Sequence, residues 1–291
     1  MLPLGQFGTR LMGGREAASA RYIFTNLNSL TRIVMNELDD PLLSYIEEEG
    51  MTIEPNYYVP ILPMALVNGA EGIGTGWSTF IPSFNPADII SNIEERLRDP
   101  QYQFKPMLPW YRNFKGKIER AEGNNYIVTG VWRRVDRHTI QITELPIRKW
   151  TRDYKTMLED MMMKGEIEDL KEFHKDNTVD FIIKLKEDVA SIEREPGGIE
   201  KKFKLTAPLS ANNMVLFDKD QRIKKYASET CILEEFFALR YEFYEKRKTL
   251  LIKQLQHEIS ILENKSRFIT ELISGELKIQ NKPKDQVIKI L

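Results

Sequence analysis

Arg21 and Tyr22 are the adjacent pair whose side chains could do chemistry. A tyrosine phenol, with a pKa of about 10, is a weak nucleophile unless something favours its anion. A neighbouring guanidinium does so, and so does a helix N-terminus; both also bind phosphate. A phenol that attacks a phosphodiester swaps one phosphate ester for another of similar energy. Such a step is reversible and stores the bond. Taken alone, the dipeptide reads as ordinary surface beside a helix, so its meaning depends on the elements that position it.

Those elements can be read from spacing. The chain opens abruptly on a glycine-rich loop, Gly5-Gln6-Phe7-Gly8 and then Gly13-Gly14, with no helix or strand before it, and reads as a piece of a longer protein. From Ser19, a plausible N-cap, the stripe Ile23, Leu27, Leu30 and Val34 predicts a helix with Tyr22 near its start. Residues 59–82, dense in Pro and Gly, predict irregular chain. Asn85-Pro86 opens a helix with the stripe Ile89, Ile90, Ile93 and Leu97. Period-two segments at 126–129 and 139–142 predict strands, followed by a helix over 151–163 and strands at 178–185 and 213–217. From Ser228 to Ser274 there is neither Pro nor Gly, and Gly275 follows as a C-cap. A continuous helix there would run ~70 Å at ~1.5 Å per residue. Its seam of Leu251, Leu255, Ile259 and Leu262 needs a partner that a single helix lacks, which predicts a coiled coil or projecting arm.

The 291 residues suit two or three domains, and 42% apolar content allows a real core. One cysteine, Cys231, excludes a disulfide scaffold and fits a reducing compartment. The longest apolar run, 59–67, is broken by Pro60 and Pro63, so no membrane span is expected. His138, His174, His257 and Cys231 lie too far apart in sequence to suggest a zinc site. The net charge of −1 hides segregation. Residues 1–36 carry a net +3, residues 105–155 a net +7 and residues 156–200 a net −7, while 37–54 hold seven acids and no base. Such blocks can turn a basic face toward a polyanion, or be ordinary solvated surface.

Several long motifs resolve that choice. Gly5-Gln6-Phe7-Gly8-Thr9-Arg10 and Gly13-Gly14-Arg15-Glu16-Ala17-Ala18-Ser19-Ala20-Arg21-Tyr22-Ile23-Phe24-Thr25 are followed by Pro60-Ile61-Leu62-Pro63-Met64 and Asn68-Gly69-Ala70-Glu71-Gly72-Ile73-Gly74-Thr75-Gly76-Trp77-Ser78. Further on come Tyr111-Arg112-Asn113-Phe114-Lys115-Gly116, Glu144-Leu145-Pro146-Ile147-Arg148-Lys149-Trp150-Thr151, Asn213-Met214-Val215-Leu216-Phe217-Asp218 and Asn281-Lys282-Pro283-Lys284. In this order they resemble the breakage–reunion region of eukaryotic DNA topoisomerase II across essentially the whole chain. The resemblance implies an α+β, multi-domain fold. Residues 1–104 would be part of a winged-helix-type DNA-binding region, 105–226 a mixed α/β tower domain, and 227–291 the first long helix of a coiled-coil arm, ending before the exit gate.

By the same resemblance Tyr22 is the nucleophile and Arg21 stabilises the transition state. Ile73 is the wedge that unstacks base pairs and bends DNA, and Trp150 lies near DNA. The stretch 204–213, with Lys204, Thr206, Ser210 and Asn213, and the loop arginines Arg10 and Arg15 are DNA contacts. Ser19-Ala20 stands where the family commonly has serine-proline before the arginine-tyrosine pair, a departure that leaves the chemistry untouched. The activity implied is that of an ATP-dependent type II topoisomerase in the nucleus. One duplex would be cut through 5′-phosphotyrosyl links and a second passed through.

The implied partners are double-stranded DNA, a second copy of the enzyme, and the toprim and ATPase domains of the same protein. Mg²⁺ and ATP would be held by those other domains, and no metal or cofactor by this chain; Asp39-Asp40 and Glu47-Glu48-Glu49 fall in a variable, solvated part of the family. Two alternatives stay open. One is a non-catalytic DNA-bending and dimerising module. The other, weaker, is a glycine-loop nucleotide enzyme, for which Gly72, Gly74 and Gly76 lack the spacing and Pro82 stands where a helix should run.

Overall fold

The structure, a computed structural model, describes residues 1–279 together with Pro283, Val287 and Ile288. The motif at 281–284 therefore lies, apart from Pro283, outside the described residues. Contacts group the chain into two compact units. One comprises Met1–Asn36 and Pro60–Leu239, the other Glu37–Val59 and Arg240–Leu291.

The first unit holds two cores. In one, a four-stranded antiparallel sheet runs in the order Ile167–Glu172, Phe181–Leu185, Thr139–Glu144, Val131–Arg134. The helix Thr151–Met163 packs on it through Tyr154, Leu158 and Met161, spaced i, i+4, i+7. The strand Thr139–Glu144 alternates strictly, so Ile140, Ile142 and Glu144 all face inward. A carboxylate thus sits on a core face and needs a cation, which determines how the glycine loop docks.

The second core lies between the three-stranded sheet Thr206–Ser210, Asn125–Thr129, Lys117–Arg120 and the helix Pro86–Arg98. That helix begins as its sequence predicts: Pro86 takes the first position and the Asn85 side chain accepts from the Ala87 N–H at 3.0 Å. Its stripe is narrower than predicted, because Ile89 and Ile93 pack inward while Ile90 and Leu97 are exposed.

Two expectations are corrected. The helix from Ser19 does not form. Ala20–Tyr22 make a single 3-10 turn, Phe24–Asn26 are a strand, and only Thr31–Val34 are α-helical. Ile23, Phe24 and Thr25 are β-branched or aromatic and prefer extended chain. Their neighbourhood also offers the strand Leu2–Leu4, an element not expected ahead of the glycine loop, which pairs antiparallel with Phe24–Asn26. Residues 59–82 are likewise not irregular throughout. They hold the helix Met64–Asn68 and a hairpin of Ala70–Ile73 with Ser78–Ile81.

The second unit contains the long helix from Arg240 onward; the whole helix spans Glu229–Ser274, and Gly275 takes φ 80 just past its end. The seam positions Leu255, Ile259 and Leu262 are exposed. A hairpin of Tyr45–Glu48 and Met51–Pro55 turns at Glu49 and Gly50, both with positive φ. Asp39 is not the solvated acid expected of this stretch. It is 3% exposed and is gripped by Arg240 at 2.7 Å and by both arms of the Arg247 fork at 2.5 and 2.7 Å. No helix among the described residues is long and apolar enough to cross a membrane.

Candidate functional site

Tyr22 is 65% exposed at the end of its 3-10 turn, and the Arg21 guanidinium carbon lies 5.1 Å from the centre of its ring. A three-residue turn has no helix N-terminus to offer a phosphate, so Arg21 is the cation this site supplies. The loop that carries the pair is built on itself and on the first core. Gly8 and Gly13 have positive φ and no room for a side chain. A Cβ on Gly8 would fall 2.4 Å from Gly14, and one on Gly13 would fall 2.1 Å from the Trp150 indole. Thr9 donates its N–H at 2.6 Å and its hydroxyl to Glu16, and the hydroxyl bond is what chiefly holds the Glu16 carboxyl below its usual range. The Arg152 N–H donates to Leu11 at 3.0 Å, and Arg15 pairs with Asp153 at 2.6 Å, tying the loop to the start of the helix Thr151–Met163.

Three of the anticipated DNA contacts thus meet around this loop, with unequal freedom. Arg10 is half-buried and ion-paired with Glu144, which is 1% exposed and also accepts from the N–H groups of Lys115 and Leu145. Its guanidinium supplies the cation demanded by the inward-facing Glu144, so Arg10 is a latch for the loop. Trp150 is half-buried against Gly13 and supports the loop from beneath. Arg15 remains on the surface.

Ile73 stands at the end of its hairpin strand, 92% exposed, next to a tight turn in which Gly74 N–H donates to Trp77 at 2.8 Å. An isoleucine so exposed on a two-stranded ribbon contributes nothing to a core. Ile73 itself, with Trp77, Val215, Phe217 and Ile223, helps line an open apolar hollow of about 390 Å³. Asn213, expected to touch DNA, points its amide at this hairpin, donating to Ser78 O at 3.0 Å and Ser78 Oγ at 2.8 Å. Thr206 and Ser210 lie on the exposed face of the strand Thr206–Ser210, alternating with the inward Ala207 and Leu209, while Lys204 is exposed just ahead of it at φ 49.

A cleft of about 690 Å³ beside the loop is lined by Arg10 and Trp150, already singled out as site residues, and by Tyr111, Arg112, Arg148 and Lys149, which entered the sequence reading only as motif residues without a role. Their signal was the basic excess over 105–155. Burial pushes the Tyr111 phenol up to about 12. Burial, helped by the Lys204 charge, lowers the Lys149 ammonium, whose Nζ donates to the Lys204 carbonyl. Among the described residues no group of three or more His, Cys, Asp or Glu side chains is placed to hold a metal ion.

The mixed α/β fold with its long helix and this loop-and-hairpin surface can be set against known proteins. A family model describing the A-type subunit of DNA gyrase/topoisomerase IV matches residues 1–291, and the chain belongs to that family. A DNA topoisomerase 2 from Arabidopsis thaliana is 48% identical over 298 residues, which cover 100% of this chain and 20% of the relative. DNA topoisomerase 2-alpha from Mus musculus is 46% identical over 295 residues, 99% of this chain and 19% of the relative. The solved Plasmodium falciparum topoisomerase II DNA-binding, cleavage and re-ligation domain superposes with a TM-score of 0.84 at 44% identity, covering 99% of this chain and 40% of that one. The resemblance to eukaryotic topoisomerase II is borne out over the whole chain, which spans about a fifth of the length of these curated relatives.

Proposed function

We propose that this chain is the tyrosine-bearing, DNA-bending and arm segment of a nuclear, ATP-dependent type II DNA topoisomerase. The carrying observation is Tyr22: an exposed phenol beside a guanidinium, following a loop that Arg10 and Arg15 tie to a core. In the reaction the Tyr22 oxygen bonds to a backbone phosphorus and the phosphorus–O3′ bond breaks. The phenol proton is given up to solvent or a base, and the 3′ oxygen leaves as a hydroxyl. The 5′ end is held as a phosphotyrosine. Arg21 offers its planar fork to the phosphate oxygens as charge builds on them. Religation is the reverse step. A pair of such cuts, one from each copy of a homodimer, would open a duplex for passage of a second one.

The Ile73 hairpin would bend the duplex, and Arg15, Lys204, Thr206 and Ser210 would dock it. Mg²⁺ and ATP belong, on this reading, to the toprim and ATPase domains of the same enzyme. The uncovered Leu255–Ile259–Leu262 seam suits a second helix of the arm or of the partner copy.

The purified chain should accordingly bind duplex DNA with a steep salt dependence and little sequence preference, because phosphate contacts release counterions without reading bases. It should not cut supercoiled plasmid in Mg²⁺ by itself. Gel analysis after detergent and protease treatment checks this, and Tyr22-dependent cleavage by the chain alone would relocate the metal site.

A further inference from the structure

Ile73 can act as a wedge only if the ribbon beneath it resists being pushed back. Unstacking a base step is costly, and a two-stranded hairpin in water is marginally stable. The β-turn at the tip adds little stiffness, since Gly74 and Gly76 flank it and neither would meet a neighbour within 3.5 Å if given a side chain. Stiffness must come from side chains that grip the two strands.

Two residues do so at successive levels. Ser78 is the register partner of Ile73, so it forms the rung that carries the wedge. Asn213 holds this rung by donating to both Ser78 O and Ser78 Oγ, and its own carbonyl accepts from Phe80 N–H at 2.8 Å. The neighbouring Val215 N–H donates to Thr79 Oγ1 at 3.1 Å, extending the brace along the same strand. Lower down, Glu71 and Phe80 are register partners. Arg148 grips both, pairing with Glu71 and placing its guanidinium carbon 4.5 Å from the centre of the Phe80 ring. Arg148 does this from a backbone at φ 71, a conformation that non-glycine residues adopt rarely and that its surroundings must enforce. Two residues later in the chain, Trp150 underlies the loop of Tyr22.

We infer that Asn213 and Arg148 are positioning residues that brace the Ile73 hairpin for DNA bending. Neither docks phosphate, and Arg148 ties the hairpin to the segment that supports the nucleophile loop. The inference rests on the proposed bending role of Ile73 and assigns the machinery behind it.

The test uses the full 291-residue chain and a short duplex with a fluorophore at each end. End-to-end energy transfer at saturating protein reports bending, and anisotropy over a salt series reports phosphate contacts. Asn213→Leu removes the amide while keeping the branched heavy-atom shape and without adding charge. It should shift the bent-to-straight ratio about tenfold toward straight, as expected for losing one to two hydrogen bonds. Arg148→Gln should act in the same direction, and it keeps the test open should Asn213→Leu fail to fold. Both should leave the salt slope unchanged. Normal bending in a folded variant of either residue would overturn the inference. So would a salt slope reduced by about one with bending intact, the mark of a phosphate contact. Ile73→Ala separates the two levels. If it bends DNA normally, the wedge reading itself is wrong. If it fails to bend while the brace variants succeed, only the bracing is wrong.

Discussion

On the proposed function, replacing Tyr22 with phenylalanine should abolish covalent capture of DNA by the enzyme, while leaving DNA binding and bending intact. Phenylalanine keeps the ring and loses the only atom that attacks. The side chain is exposed and buries nothing in a core, so the fold has no stake in the hydroxyl. Binding and bending depend on other residues, Ile73 and the basic surface. Arg21→Lys should give a graded version of the same result. Lysine is a point charge without the planar fork, and loss of one such donor typically costs ~10²–10³ in rate. Cleavage should fall by that factor with DNA affinity within about threefold of normal. An equal fall in both would make Arg21 a docking contact. Capture by the Tyr22 enzyme that is lost in Tyr22→Phe, with bending kept, also distinguishes the enzyme from a purely architectural module.

The second large effect is on stability. Asp39→Ala removes a carboxylate that faces two guanidiniums in the second unit. Arg240 already has Nε and Nη2 buried without a hydrogen-bond partner, and its remaining anchors would be the Val59 carbonyl at 2.8 Å and the Tyr244 ring at 4.1 Å. Breaking a buried pair by deleting one partner typically costs about 3–5 kcal/mol. Amide hydrogens in the helix around residues 240–247 should then exchange about 10²–10⁴-fold faster, and a change under about threefold would contradict the account.

The pH dependence follows from the same contacts. Burial, the largest influence, pushes the Asp39 carboxyl up, but the hydrogen bonds from Arg247 and Arg240 outweigh it and hold the carboxyl below its ordinary 3.8. A depressed carboxylate contributes stability that is present above its unfolded value and lost as pH falls through the folded one. Protection of this helix should therefore decline below about pH 4 in the native chain. Asp39→Asn should lose that part of the decline.

What could be read in advance was whatever local chemistry decides. The Asn85-Pro86 start, the helix Thr151–Met163, the strand Asn125–Thr129 and the 46-residue helix closed by Gly275 follow from caps, periodicity and the absence of breakers. The predicted helix from Ser19 failed because its apolar residues have two uses. Phe24 and its neighbours pair with Leu2–Leu4, a partner that no spacing within 19–34 reveals. Residues 59–82 look like loop because their glycines serve the ends of a short helix and a hairpin.

The site shows the same division. Tyr22, Arg21 and Ile73 were singled out by the motifs around them, and the structure leaves both Tyr22 and Ile73 exposed. The amide of Asn213 faces Ser78 and the guanidinium of Arg10 faces Glu144, and such tertiary partners are not encoded at any fixed offset. Glu144 did carry a warning. It occupies an inward position of the alternating segment Thr139–Glu144, where a charge demands a counter-ion from elsewhere in the chain.

The most direct test of the central claim is to map the covalent adduct. The full-length enzyme is incubated with end-labelled DNA and Mg²⁺, stopped with denaturant, digested with protease and nuclease, and the labelled peptide is sequenced. The account predicts a single modified residue, Tyr22, carrying the 5′ phosphate of the cut strand, with the 3′ end free as a hydroxyl. A phosphate on any other side chain, or a link to the 3′ end, would contradict it.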